Sequence, residues 1–202
     1  MMVSEDIPAT PWSLQITDQY HRPVRHQPRS GLCNRQVSSN VHQSLISRLT
    51  RTSNTHFHDH YKASLVGHDD GNGAEDTGYL HVTYANNLWT NIESRMPLLR
   101  FGTAHIYNSY FEGGESAVNT RMGAQALVES SVFDGVKDAV TSRFSKEDGY
   151  AVMNDVDLGS ASDKYPAPEG TLTSVPYEYE LVGSGNVKFA LEGVVGNTLT
   201  LG

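Results

Sequence analysis

The sequence predicts an all-β fold of the solenoid type, in which short strands wind through coils stacked along one axis. A unit made of a small polar residue, two further positions and an aromatic recurs as Asn54-Thr55-His56-Phe57, Asn86-Asn87-Leu88-Trp89, Asn108-Ser109-Tyr110-Phe111 and Ser130-Ser131-Val132-Phe133. Trp89, Phe111 and Phe133 follow one another at intervals of 22 residues. Three of the units are preceded by short β-type stretches, Leu80 to Tyr84, Ala104 to Tyr107 and Ala126 to Glu129, with no helical pattern between them. A period near 22 built from strands alone is the signature of coils that bury their apolar faces only against neighbouring coils.

Residues 1–53 stand apart. They carry six Arg, no Lys and three acids, a net of +3, whereas residues 54–202 carry nine bases and twenty acids, a net of −11. Between Asp18 and Asp59 there is no carboxylate. With prolines at 8, 11, 23 and 28 and weak periodicity, this stretch reads as a disordered or non-native segment rather than as part of the solenoid. The domain is therefore expected over 54–202, with either residues 1–53 or nothing covering the open edge of its first coil.

The first coil starts at Asn54 and holds Phe57-His58-Asp59-His60-Tyr61-Lys62. Adjacent His residues beside a strand are more often structural than metal-binding, and that is the reading adopted for His58, Asp59 and His60. Phe57 to Trp89 is 32 residues, and the excess of ten matches an insertion, His68 to Thr77. The acidic run inside it, Asp69 to Asp76, lacks the spacing of an EF-hand and reads as a solvated loop. The second coil ends in Arg95-Met96-Pro97-Leu98-Leu99-Arg100. On an ideal strand Arg95 and Arg100 would leave opposite faces, so a bend at Pro97 is needed to bring them together. Lys62, one coil earlier, would then stand about one strand spacing, ~4.8 Å, from Arg95. Stacked Asn side chains and stacked aromatics are expected along the coils. Beyond residue 134 the repeat fades; Ala151 to Asp157 reads as one more strand and Asn186 to Gly193 as a short terminal helix covering one side.

Composition excludes several classes. The formal charge of −8 argues against a nucleic-acid partner, and no run approaches the ~20 apolar residues of a membrane span. Cys33 stands alone, so no intrachain disulfide forms. Met1 to Thr10 lacks the basic and apolar regions of a secretory signal. A Gly-x-Ser-x-Gly nucleophile motif is absent. Three cations, Lys62, Arg95 and Arg100, on one face make a site for a polyanion.

These features together resemble polysaccharide lyase family 1, and the fungal pectate lyases in particular. The resemblance rests on Ser53 to His68, Asn72 to Gly102, His105 to Glu112, Gly123 to Ser130 and Ala167 to Tyr177, and is most specific in His-Asp-His-x-Lys-x-x-x-x-Gly followed by Arg-x-Pro-x-x-Arg-Phe-Gly. It implies a right-handed parallel β-helix, truncated at its amino-terminal end, in a secreted monomer that degrades pectin of the cell wall. It implies calcium-dependent β-elimination of polygalacturonate, with Arg95 as base and Lys62 and Arg100 binding uronate carboxylates. An Arg base requires neighbouring cations to lower its proton affinity, which points to alkaline conditions. In this family the calcium carboxylates lie upstream of the His-Asp-His segment, and residues 19–53 contain no Asp or Glu, so no residue of this chain takes over that site. Weak activity is the expectation, and a non-catalytic polyuronate-binding solenoid is the alternative. A pectin lyase acting on esterified substrate fits less well, since Lys62 and Arg100 favour an ionised uronate.

Overall fold

The computed structural model of the chain describes residues 48–198; the expectations for residues 1–47 and 199–202 lie outside the described residues. Twelve strands and two helices are present among them, and every strand pairing is parallel. The strands fall into three ladders. The first joins β1 (Arg48–Ser53), β4 (Leu80–Ala85), β7 (Thr103–Tyr107), β10 (Gln125–Asp134) and β12 (Tyr150–Asp157). The second joins β2 (His56–Lys62), β5 (Leu88–Ser94), β8 (Tyr110–Glu112) and the second half of β10. The third joins β3 (Leu65–Val66), β6 (Leu98–Arg100), β9 (Ser116–Arg121) and β11 (Asp138–Thr141). This is the parallel β-helix expected from the repeat.

The repeat in sequence becomes adjacency in space. Phe57 is in register with Trp89, Trp89 with Phe111, and Phe111 with Phe133. Their rings stack with centroids 3.9, 5.7 and 4.5 Å apart, and Trp89, Phe111 and Phe133 are fully buried. At the corner before each aromatic the chain must turn sharply. Asn54, Asn86, Asn108 and Ser130 make that turn at φ of 52, 55, 48 and 45°, a left-handed conformation that Asn tolerates better than most residues because its short amide bonds locally. Asn108 donates to the Asn86 amide oxygen at 3.0 Å, and Asn87 spans to the first coil through Thr55 N and Thr52 O. Gly114, at φ 115°, packs so tightly on the coil above that a Cβ there would lie 2.3 Å from Ile92 O.

Two expectations change. The boundary set at residue 53/54 falls earlier, because Arg48–Ser53 is strand β1, paired along its length with β4. Its composition hid a strand whose partner lies 32 residues on. The acidic insertion is not wholly solvated: it contains one helical turn, α1 (Gly73–Asp76), and Asp70 is tied to Arg100. The terminal helix appears as α2 (Ser184–Leu191), with Val187 and Leu191 buried against Tyr110, Leu88 and Val132. Its first turn is held by Asp155, which accepts from Ser184 N at 2.8 Å and from Ser184 Oγ at 2.6 Å. Residues 158–183 cross the coils between these points, forming isolated bridges at Thr141–Pro166 and Ala151–Glu169.

Candidate active site

Lys62 is the last residue of β2 and stands in register with Ser94, the last of β5. Arg95 follows directly, so the two cations sit on successive coils at one corner. Arg95 adopts φ 63°, an uncommon conformation for a long side chain and one often found where a residue is aimed at a site. Both its neighbours in the stack fix it: Ser64 N donates to Arg95 O at 2.8 Å, and Met96 N donates to Ala117 O at 2.9 Å. The chain then passes Pro97, whose peptide is cis, and enters β6.

Arg100 is placed differently from the other two. It is buried, donates from Nε to Asp70 at 2.6 Å and from Nη1 to Gly67 O at 3.0 Å. Gly67, at φ 76°, leaves room for this: a Cβ there would lie 2.8 Å from Arg100 Cβ. Asp70 is held below the usual carboxylate range by that hydrogen bond. The groove of about 320 Å³ at the corner is lined instead by Lys62, Arg95, Arg121 and Arg143, with Tyr61 and Phe144 exposed at its walls. Arg121 is in register with Arg100. Arg143 pairs with Asp138, and its guanidinium lies 4.4 Å from the Phe144 ring centroid. Sequence reasoning missed Arg121 and Arg143. The signal was available: Arg100, Arg121 and Arg143 recur at nearly the coil period.

Four cations facing one groove repel, and partial burial removes the water that would screen them. Burial lowers the proton affinity of Arg95, and the charge of Arg100 lowers it further. Arg121 is lowered in the same way, by burial first and then by Arg100. Two carboxylates, Glu93 and Glu115, also line the groove, and Glu115 is paired with Lys137 at 3.0 Å.

His58, Asp59 and His60 do not gather around a common point. His58 Nδ1 bonds the adjacent Asp59 at 2.8 Å, Asn91 donates to Asp59 at 2.6 Å, and His60 Nδ1 accepts from Lys62 N at 3.2 Å. Asp59, another left-handed corner residue, is held below its ordinary range by Asn91 and then His58.

The pectate lyase family model matches residues 38–196, most of the chain. The chain belongs to the pectate lyase family. It is 58% identical over 155 residues to pectate lyase B of Colletotrichum gloeosporioides, an alignment covering 76% of this chain and 46% of that protein. Among solved structures it is similar to pectate lyase II of Xanthomonas campestris, at a TM-score of 0.64 and 30% identity, covering 73% of this chain and 49% of that one. It is also similar to a Bacillus pectate lyase solved in complex with trigalacturonate, at a TM-score of 0.61 and 27% identity over 72% of this chain and 48% of that one. The chain spans about half the length of the relatives it matches. The family match begins at residue 38, again upstream of the 53/54 boundary.

Calcium, which the pectate lyase family implies, finds no assembled set of donors among the described residues. Among the described residues no three His, Cys, Asp or Glu side chains converge. Two carboxylates of the acidic loop are committed elsewhere, Asp70 to Arg100 and Asp69 to Gly71 N. No helix of the described residues is long and apolar enough to cross a membrane.

Proposed function

We propose that the chain carries the proton-abstracting side of a pectate lyase site, with Arg95 as base for β-elimination of polygalacturonate. One observation carries this reading: Arg95 and Lys62 line the same groove, and burial and Arg100 lower the proton affinity of Arg95. The uronate C5 proton is acidic only when the charge on its carboxylate is offset. Lys62, beside the groove, offsets it by direct contact. Arg100 is committed to Asp70 and Gly67 and does not line the groove, so it contributes through its charge on Arg95. A neutral Arg95 guanidine removes the C5 proton. The C5–H electron pair forms the C4–C5 double bond as the C4–O4 bond breaks, and the departing O4 takes up a proton. Each donor aimed at the developing charge acts more strongly in the transition state than on bound substrate. The trigalacturonate complex of the Bacillus relative supports oligogalacturonate as the substrate class. Such a substrate in plant cell walls goes with a secreted enzyme, and no feature of the described residues requires a second subunit.

The lack of a converging carboxylate set among the described residues favours a second reading, a solenoid that binds polyuronate without cleaving it. Ultraviolet absorbance of unsaturated product, from purified 202-residue chain and polygalacturonate at alkaline pH with calcium and with chelator, separates the two. Product formation that drops about 10²- to 10⁴-fold in Arg95→Ala is the expected result for a positioned base. Folded protein that binds polygalacturonate and forms no product supports the second reading. Arg95→Ala as fast as the parent chain excludes Arg95 as the base.

A further inference from the structure

Outside the groove, on the outer face of the first ladder, a buried polar chain links the solenoid to the tail. His105 on β7 and Glu129 on β10 are both almost fully buried. His105 pairs in register with Leu127, so Glu129, two residues on, projects from the same face. His105 Nε2 lies 2.9 Å from Glu129 Oε2, and His105 Nδ1 lies 2.8 Å from Tyr177 Oη. Tyr177 Oη in turn lies 2.7 Å from Thr83 Oγ1 on β4. Tyr179 donates to Glu129 Oε2 at 2.6 Å, and Asn154 on β12 donates to Glu129 Oε1 at 3.1 Å. Four coils and the tail thus meet at two titratable groups that the groove does not use.

The directions of these bonds are set by chemistry. An ionised carboxylate only accepts, so His105 carries its hydrogen on Nε2. The neutral ring then accepts at Nδ1 from the Tyr177 hydroxyl, which leaves the Tyr177 oxygen to accept from Thr83. Every hydrogen has one place to go. If His105 gains a second proton, the Tyr177 hydroxyl must turn on Thr83, and the Thr83 hydrogen loses the only acceptor that the described residues give it. If Glu129 is protonated, Tyr179 faces a group that must itself donate. The other charged or titratable groups facing the pair are Tyr107, whose ring stacks on His105 with centroids 4.6 Å apart, and Arg51 on β1, which donates to Tyr107 at 3.2 Å and stands against protonation of His105.

We propose that the His105–Glu129 pair is an acid-released latch that holds residues 177–182 against the outer face of the solenoid. Two further bonds show where the strap would lift: Asn108 donates to Glu180 O at 2.9 Å and accepts from Val182 N at 3.1 Å. Burial lowers the proton affinity of His105, against the pull of Glu129. A group lowered by folding resists the proton it would take when unfolded. The latch therefore weakens as pH falls below the ordinary imidazole value of ~6.5. Burial alone would raise Glu129, but hydrogen bonds from Tyr179, Asn154 and His105 outweigh it and hold the carboxyl below its usual range. Its contribution is complete above that range and disappears as pH falls through the depressed value, so both groups release in acid. Tyr179, pushed up to about 12, stays a donor throughout.

Hydrogen exchange of the full chain, expressed as protection over the intrinsic rate, tests the latch at pH 8 and pH 5. Amides of residues 177–182 are expected to lose about tenfold in protection at pH 5, while those of β5 in the aromatic stack hold theirs. His105→Gln keeps a donor and an acceptor and should flatten this response. Equal protection of the strap at both pH values, or β5 losing protection in step with it, overturns the proposal. Should His105→Gln fail to fold, Tyr179→Phe gives a second reading. It should lower strap protection at pH 8 and leave β5 unchanged, and a strap as protected as in the parent chain overturns the latch.

Discussion

The first coil and the third are built from the same pattern and held very differently. In the third coil, β7 and β8 have a strand on either side, and Phe111 is sandwiched between Trp89 and Phe133. In the first, β1, β2 and β3 each have one strand neighbour among the described residues, and Phe57 rests on Trp89 alone and is only partly buried. A coil in a solenoid is therefore as stable as its neighbours make it, since its sequence supplies only half of each contact. The groove straddles this gradient. Lys62 hangs on the weak coil itself, whereas the Arg95 segment lies on the second coil, bonded to Ser64 of the first and to Ala117 of the third, so local opening of the first coil would remove Lys62 outright and leave the base segment held from one side.

Truncating the aromatic stack gives the largest contrast. Trp89→Ala is expected to cost about 3–5 kcal/mol, the range for large aromatics in a core that cannot collapse onto the cavity. Phe57→Ala, at a partly buried position with one ring neighbour among the described residues, should cost about 1–2 kcal/mol. Denaturant midpoints of the two variants measure the difference. Equal losses would mean that the first coil is buried by something beyond the described residues, and the gradient would not exist.

The left-handed corners give a smaller contrast. Asn108 bonds Asn86, Glu180 O and Val182 N, so Asn108→Ala strands partners from one coil and from the strap. The expected cost is about 2–3 kcal/mol, for buried groups left unpaired plus a non-Asn residue at positive φ. Asn54, at the same corner of the first coil, is exposed. Asn54→Ala should cost about 1 kcal/mol, from backbone conformation alone. Thermal unfolding resolves the two, and an Asn54 loss as large as that of Asn108 would break the comparison.

How far this could be read from sequence follows from the geometry. A solenoid turns a fixed interval into an axial neighbour, so the stack at 57, 89, 111 and 133, the Asn corners and the closeness of Lys62 to Arg95 were all visible as spacing. The same rule would have shown Arg121 and Arg143 below Arg100, but attention to a local motif concealed them. Strand β1 was hidden because its partner lies across the insertion and its own residues, Arg-Leu-Thr-Arg-Thr-Ser, have little apolar alternation. The capture of Arg100 by Asp70 depends on how a loop folds back, which no period reports. The latch was beyond reach for a related reason: Tyr177 and His105 are 72 residues apart and belong to no repeat.

The smallest effect is expected at the rim of the groove. Lys137 and Glu115 stand on successive coils with 60% and 47% of their side chains exposed. A pair so open to solvent gains little that water does not already provide, so Lys137→Ala should change stability by less than about 1 kcal/mol. Its effect on the groove is indirect, through the carboxylate it pairs with. Glu115 lines the groove, and removing Lys137 leaves its carboxylate free to repel a polyuronate. Binding of polygalacturonate should therefore weaken slightly, and the weakening should fade as salt is raised. A loss of affinity that survives high salt would instead mean that Lys137 touches the polymer directly.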